Sequence, residues 1–157
     1  MRNFYPFSAA VLAATIFMFP VGAIAHDFVA GSLEIKHPWS AKAPPVAPVL
    51  GGYLTIVNTG SQPDRLLGAT SPIADRMELH ESSMSDGVAR MRPIQGGIDI
   101  APGQTLKLQP GGMHLMLVNP KQRPAEGEGF KATLQFEKAG LVEVEFLVQS
   151  KSQEHLP

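Results

Sequence analysis

Soft metal donors are concentrated in one part of this sequence. Five of the seven methionines and two of the five histidines lie between residues 77 and 116, and the chain contains no cysteine. Thioether sulfur and imidazole nitrogen are neutral ligands, and a site rich in thioether selects a soft monovalent ion, above all Cu(I). The window therefore predicts a Cu(I) site. The candidate donors in this window are Met77, His80, Met84, Met91, Met113, His114 and Met116.

One candidate ligand pair lies within residues 113–117. If this segment is a strand, its side chains alternate between two faces. Leu115 and its apolar neighbours two residues away would then face the core. His114 and Met116 would point outward together, two residues apart, with a spacing that suits chelation from a single strand.

The second candidate pair lies across a predicted hairpin. Asp86-Gly87 between two strand-like runs is a strong turn signal. A turn at Ser85-Asp86 would place His80 directly opposite Met91, whereas a turn at Asp86-Gly87 would make the two residues diagonal neighbours. Opposed Cβ atoms lie about 5 Å apart and diagonal ones up to about 8 Å apart, so either register lets both side chains reach one ion.

The other donors have simpler interpretations. A methionine is more often a core gap-filler than a ligand, and we favour that role for Met77 and Met113. Met84 lies near the expected hairpin tip, where it would be an exposed spare donor. The carboxylates near the hairpin are interpreted as a solvated face, since no acid–base pair of defined geometry is apparent. They are Asp75, Glu78, Glu81 and Asp86.

The start of the chain has the pattern of an export signal. Arg2 supplies a positive charge, residues 7–19 form an apolar core, and residues 23–25 (Ala-Ile-Ala) fit a small-x-small cleavage site. We expect a signal peptide at 1–25 and a mature chain that begins at His26. The apolar core is short for a span of about 20 residues, so we expect no membrane span after cleavage. No cysteine follows it, so we expect no lipid-modified cysteine anchor.

The expected mature chain is a single domain. We expect a β-domain at 26–149, which is long enough for a hydrophobic core, and a disordered tail at 150–157. Without the leader the chain has 12 basic and 14 acidic residues, a net charge of −2. Such a balance gives no electrostatic reason to bind nucleic acid.

Short apolar or alternating runs separated by Gly, Pro, Asp and Asn indicate an all-β fold. Their number and spacing predict an antiparallel sandwich or barrel with Greek-key connections. The expected strands are 32–37, 52–58, 65–70, 76–81, 88–94, 105–109, 113–119, 130–136 and 141–148. The expected core or boundary aromatics are Trp39, Tyr53, Phe130, Phe136 and Phe146.

The residue types and motifs that this sequence lacks exclude several kinds of metal site and active site. A blue-copper electron carrier needs a cysteine thiolate, and a structural zinc site normally uses cysteine or several histidines. The sequence also has no glycine-rich phosphate loop, nucleophile-elbow serine or HExxH pattern. These observations favour a binding protein over an enzyme.

The donors lie in a larger recognisable framework that runs from His26 to about Val148. Its most specific segments are 37–39 (His-Pro-Trp), 51–56, 64–69, 78–81, 86–88, 91–93, 111–117 and 136–140. Ten residues separate His80 from Met91, and 22 separate Met91 from His114 in a His-x-Met motif. In these features the sequence resembles the periplasmic copper chaperones of the PCu(A)C (PCuAC) family, whose motif has one residue fewer in the second interval.

The resemblance implies a cupredoxin-like Greek-key β-barrel that holds one Cu(I) per chain. Its ligands would be His80, Met91, His114 and Met116. It also implies a non-enzymatic, periplasmic chaperone that delivers copper toward the Cu(A) centre of cytochrome c oxidase. The expected partners are the Cu(A) subunit and Sco-type thioredoxin-like proteins, and we expect a monomer.

Three other hypotheses stay open at this point. A periplasmic storage or resistance protein could use the same four ligands. An oxidase-type copper enzyme could use His26, whose α-amine and imidazole would together chelate Cu(II). A metal-free β-sandwich interaction module would leave the clustering of methionine and histidine unexplained.

Overall fold

The computed structural model describes residues 27–150, which form strands, turns and irregular segments. No helix in this range is long and apolar enough to cross a membrane. The expected signal peptide, His26 and residues 151–157 of the expected tail lie outside the described residues. The strands are β1 (Phe28–Ala30), β2 (Leu33–Ala41), β3 (Val49–Asn58), β4 (Asp64–Thr70), β5 (Ala74–Ser85), β6 (Val88–Pro93), β7 (Ile98–Ile100), β8 (Thr105–Leu108), β9 (Met113–Pro120), β10 (Gly129–Phe136) and β11 (Leu141–Gln149).

Strands of the described chain close into a barrel. In order around the ring, the strands are β2, β11, β10, β4, β5, β9 and β3, and β3 pairs with β2 again. Most neighbours in the ring are not consecutive in the sequence, as Greek-key connections require. β1, β6, β7 and β8 extend the ring by pairing with β2, β5, β4 and β3. The prediction of an all-β, cupredoxin-like Greek-key barrel is confirmed. The prediction of antiparallel pairing is wrong for one pair in the ring, because β11 runs parallel to β2.

Each of the nine predicted strands corresponds to an observed strand, and the sequence missed β1 and β7. These two strands have only three residues each, too few to show an alternating pattern. β5 is also longer than predicted, because residues 82–85 are polar or exposed and extend the strand only by pairing with β6. This extension matters for the site, since it forms one strand of the hairpin that carries Met91.

Apolar side chains fill the barrel and fix the orientation of β9. Leu115 and Leu117 are fully buried, and Met113 packs against the same core from a partly buried position. Met77 is only 8% exposed and also lies in the core. The predicted packing roles of Met77 and Met113 are therefore confirmed.

The predicted aromatic core is also confirmed. Phe130 and Phe146 stack with ring centroids 5.3 Å apart, and Phe136 is buried nearby in the same apolar cluster. Trp39 is buried at the boundary, and Tyr53 is half-buried on the strand that pairs with β2.

The turn between β10 and β11 is fastened to the start of β4 by the buried carboxylate of Asp64. Its Oδ1 accepts hydrogen bonds from the backbone N–H groups of Arg65 and Lys138, and its Oδ2 accepts one from Ala139. Burial of the carboxyl acts to raise its pKa, but the three backbone donors outweigh burial. They hold the pKa of Asp64 below its ordinary value.

We expect Asp64→Asn to lower the free energy of unfolding at neutral pH by roughly 2 kcal/mol, because an amide offers one acceptor oxygen where the carboxylate offers two. The native pKa of Asp64 lies below the unfolded value. Its stabilisation is therefore complete above the ordinary aspartate pKa and is lost as the pH falls through the lowered native pKa. Urea unfolding measured at neutral and acid pH should show the gap between parent and variant narrowing as the pH falls.

The control for this experiment is Asp75→Asn, since the exposed Asp75 carboxylate forms only a surface ion pair with Lys121. We expect little change in stability for this variant at any pH. A stability gap for Asp64→Asn that stays constant from neutral to acid pH would contradict the assignment.

Candidate metal centre

One face of three adjacent strands carries all four predicted ligands. His80 of β5 lies opposite both His114 of β9 and Pro93 of β6. Met116 follows His114 by two residues on β9, and Met91 precedes Pro93 by two residues on β6. Residues two apart on a strand share a face. The structure therefore brings both histidines and both methionines to the same side of the β6–β5–β9 sheet.

The β5–β6 hairpin turns at Asp86-Gly87. Both residues have positive φ, +53° and +75°, as a type I′ turn requires. This turn pairs Ser82 with Met91, so His80 and Met91 are diagonal neighbours on one face. Of the two registers that the sequence left open, the structure adopts the diagonal one.

The predicted histidine and methionine ligands differ in exposure. His80 and His114 are 7% and 6% exposed, and their ring centroids lie 6.0 Å apart. Met116 is half-buried and Met91 is 54% exposed. The candidate site therefore has an imidazole side buried in the sheet face and a thioether side open to solvent.

An aromatic wall covers the β3 side of the site. The ring centroid of Tyr53 lies 6.4 Å from that of His114 and 4.6 Å from that of Trp39. The sequence predicted that His114 points outward. It did not predict the aromatic cover, because the pairing of β3 with β9 is not visible in either segment alone. The Tyr53 ring on one side and the His80 ring on the other both lie close to the buried His114 ring.

Gly51 makes room for the aromatic wall. A Cβ atom at Gly51 would lie 2.3 Å from the hydroxyl oxygen of Tyr53, far closer than two such atoms can approach. Gly51 is also the β3 partner of Met116. The lack of a side chain at this position thus lets the Tyr53 ring lie along β3, beside the strand that carries Met116.

His80 has one ring nitrogen that is hydrogen-bonded and one that is bare. Its Nε2 lies 2.9 Å from Oε2 of Glu78, and because an ionised carboxylate only accepts, Nε2 carries the hydrogen and donates it. Its Nδ1 is buried and has no hydrogen-bond partner among residues 27–150. A buried acceptor without a partner costs free energy, and a bound metal ion would satisfy it.

His114 has the opposite tautomer. Its Nδ1 lies 3.0 Å from the carbonyl oxygen of Gly112 and donates to it, which leaves Nε2 as the acceptor nitrogen. Histidines that bind metals usually donate their other N–H group to a carboxylate or a backbone carbonyl. Here His80 donates to a carboxylate and His114 to a carbonyl. The nitrogens available to an ion are therefore Nδ1 of His80 and Nε2 of His114.

Glu78 holds His80 in place. It lies two residues before His80 and opposite Met116, and its Oε1 accepts a hydrogen bond from Nε of Arg76. The hydrogen bond from Arg76, followed by that from His80, keeps the pKa of Glu78 below its ordinary value. The carboxylate therefore stays ionised and continues to accept from His80.

The interpretation of the nearby carboxylates as a solvated face is wrong for Glu78 and holds for the other three, which are exposed. The signal that could have revealed Glu78 is its spacing of two from His80 on one strand, since such residues share a face. Glu78 was predicted to be solvated only because carboxylates are generally exposed.

Metal-binding side chains other than methionine do not cluster in threes in the part of the chain that the structure describes. No group of three His, Cys, Asp or Glu side chains in residues 27–150 could hold a metal ion. An ion on the β6–β5–β9 face would therefore depend on methionine sulfur as well as imidazole. Met84, the spare donor expected near the hairpin tip, is 74% exposed.

Residues 33–148 match the family described as "Putative lipoprotein LpqE-like". The chain belongs to this PCuAC-type family. The copper-bound PCuAC domain from PmoF2 superposes with a TM-score of 0.69 at 27% identity, over 80% of this chain and 98% of that domain. CuI-DR1885 from Deinococcus radiodurans gives a TM-score of 0.59 at 28% identity, over 83% of this chain and 84% of that one.

A curated relative is similar to about half of this chain. The protein named "Putative lipoprotein Lxx21020" from Leifsonia xyli subsp. xyli is 38% identical over 81 residues, which are 52% of this chain and 49% of that protein. The chain spans about half the length of the curated relatives it matches. The family resemblance predicted from the sequence is confirmed.

We expect the two histidines to be opposite tautomers when both rings are neutral. His80 should carry its hydrogen on Nε2 and His114 on Nδ1, and long-range proton–nitrogen NMR of the imidazole rings distinguishes the two. Glu78→Ala should remove the preference at His80, because the acceptor is lost. Glu81→Ala is the matched control, since Glu81 is exposed and adjacent to His80 in sequence. The same tautomer at both histidines would refute the assignment.

Proposed function

We propose that this protein binds one Cu(I) ion with His80, Met91, His114 and Met116 and passes it to another protein. The observation that carries the proposal is the buried Nδ1 of His80, which has no hydrogen-bond partner in the described residues. It lies on the same sheet face as two thioethers. The copper-bound PCuAC domain and CuI-DR1885 among the similar solved structures support it.

The donor chemistry fits Cu(I) better than the common alternatives. Thioether ligands select Cu(I), whereas Mg²⁺, Ca²⁺ and Mn²⁺ prefer oxygen, and a structural zinc site would use thiolates or more imidazoles. Four neutral ligands would leave the site with a charge of about +1 from the ion itself. The carboxylate of Glu78, hydrogen-bonded to His80, lies close enough to offset part of that charge.

The unequal exposure of the ligands favours transfer over retention. Met91 is 54% exposed, so a partner can reach its side of the site without opening the barrel. A thiolate binds Cu(I) more strongly than a thioether, so an incoming partner thiolate would take the ion from the exposed methionine side of the site. Copper would thus leave by stepwise ligand exchange, with no step in which the ion is free.

The cellular role that we propose rests on the family resemblance rather than on the site. We propose that the chain acts as a monomeric chaperone in the periplasm, after cleavage of the signal peptide at 1–25. It would deliver copper toward the Cu(A) centre of cytochrome c oxidase, with the Cu(A) subunit or a Sco-type thioredoxin-like protein as acceptor. His26 lies outside the described residues, so the oxidase-type alternative stays a hypothesis.

An anaerobic Cu(I) titration against a competing chelator tests this proposal. The parent protein should retain one equivalent, and His114→Ala/Met116→Ala should weaken the affinity by roughly 100-fold or more, since loss of an outer-shell partner alone costs 10–100-fold. Met77→Leu is the control, because Met77 is a core residue and its loss should leave the affinity unchanged. Equal affinity in the parent and the double variant would remove the site assignment.

A copper-transfer experiment with the loaded protein distinguishes a delivery role from a storage role. Mixed anaerobically with the copper-free Cu(A) domain or a reduced Sco-type protein, the loaded protein should lose its copper to that acceptor. Retention of the ion in the presence of both acceptors would leave a storage or resistance role in its place.

A further inference from the structure

The β5–β6 hairpin extends past the edge of the barrel as a two-stranded ribbon. β9 begins at Met113, which pairs with Glu81, whereas β5 continues to Ser85. Every residue of β6 is exposed. Two methionines lie on this ribbon, Met91 and the more exposed Met84, and the four-ligand site leaves Met84 without a role.

The register makes Met91 a neighbour of both Met84 and the buried histidine. Met84 lies opposite Ala89, and Met91 lies opposite Ser82. Met84 and Met91 are therefore diagonal neighbours on one face, and Met91 is also diagonal to His80 on its other side. Diagonal Cβ atoms lie up to about 8 Å apart, a separation that two thioether side chains can span around one ion.

Exposure falls steadily along this line of donors. Met84 is 74% exposed, Met91 is 54% exposed, and His80 is 7% exposed. The line therefore leads from solvent at the hairpin tip to the buried imidazoles. Each donor lies one diagonal step from the next, so an ion could move inward by exchanging one ligand at a time.

The strand positions on the methionine face of the ribbon carry no charge. They are Ser82, Met84, Ala89, Met91 and Pro93. Arg90 and Arg92 pair with Ser83 and Glu81, so they project from the opposite face. A cation on the methionine face is thus held away from the two arginines of the same strand.

We propose that Met84 and Met91 form an outer, two-thioether site through which Cu(I) enters and leaves the inner site. This inference rests on the proposed Cu(I)-binding function. On entry the ion binds both sulfur atoms, and then its bond to Met84 breaks as Nδ1 of His80 binds. Met91 stays bound throughout. The copper remains Cu(I), and no proton moves because every ligand is neutral.

The test measures the transfer rate and the equilibrium affinity separately. Met84→Leu keeps the size of the side chain and removes the sulfur, so the Cu(I) affinity of the inner site should be unchanged. The rate of anaerobic transfer to a coloured Cu(I) chelator should fall on the order of tenfold, equivalent to about 1.4 kcal/mol in the barrier. An unchanged rate would overturn the proposal.

Two double variants serve as matched controls for the position of the sulfur. Met84→Leu/Ala89→Met places a thioether directly across the ribbon on the same face, and it should restore the transfer rate. Met84→Leu/Val88→Met places a thioether at the tip on the opposite face, and it should not. Equal rates in both double variants would show that the rate depends on tip hydrophobicity and would overturn the proposal.

A separate titration tests the outer site without the inner one. In His114→Ala/Met116→Ala, Ag(I) used as a non-oxidisable soft ion should still shift the methyl NMR signals of Met84 and Met91 together. Absence of these shifts overturns the outer site, whatever the inner site does. If the parent protein bound no Cu(I) while these shifts appeared, the proposed function would fail and the outer site would stand.

Discussion

The pairing of β5 with β9 sets which side chains can meet on the outer face of the barrel. Leu79 lies opposite Leu115, and both are buried in the core. A slip of one residue would turn these leucines to solvent and every outward side chain inward. The apolar core therefore holds His80 opposite His114. Core packing, and not a bound ion, fixes the register of β5 against β9 at the site.

Polar contacts then prepare the two histidines for different bonds. The carboxylate of Glu78 accepts from Nε2 of His80, while a backbone carbonyl accepts from Nδ1 of His114. Each imidazole thus has a fixed tautomer and one nitrogen left to act as a ligand. The buried Nδ1 of His80 has no hydrogen-bond partner among residues 27–150, so a bound ion would relieve a penalty built into the fold.

The two halves of the site differ in the freedom of their ligands. The imidazoles are buried and oriented, whereas the thioether of Met91 lies on an exposed ribbon and has several rotatable bonds. In the proposed site, the rigid half would retain the ion and the exposed half would open it to exchange. This asymmetry suits a protein that must hold a soft ion and then release it to a stronger ligand.

Local patterns were sufficient to predict the parts of the site that lie within one strand or one hairpin. The two-residue period placed His114 with Met116, and the Asp-Gly turn brought His80 near Met91. Neither pattern could choose between adjacent turn positions, because both registers keep the two donors within reach. The positive φ angles of Asp86 and Gly87 in the structure place the turn at these two residues.

Features that depend on distant strands were not visible in the sequence. The cover that Tyr53 places over His114 arises from the pairing of β3 with β9, segments far apart in the chain. The role of Glu78 was missed because a carboxylate is usually solvated, although its spacing from His80 carried the information. β1 and β7 were missed because three residues show no period.

X-ray absorption spectroscopy of the protein loaded anaerobically with one equivalent of Cu(I) would identify the atoms that bind the ion. We expect nitrogen and sulfur neighbours in equal number, with the multiple-scattering pattern of imidazole, and a loss of sulfur scattering in Met91→Leu. A ligand shell of nitrogen or oxygen alone, or sulfur scattering that is unchanged in Met91→Leu/Met116→Leu, would rule out the proposed four-ligand site.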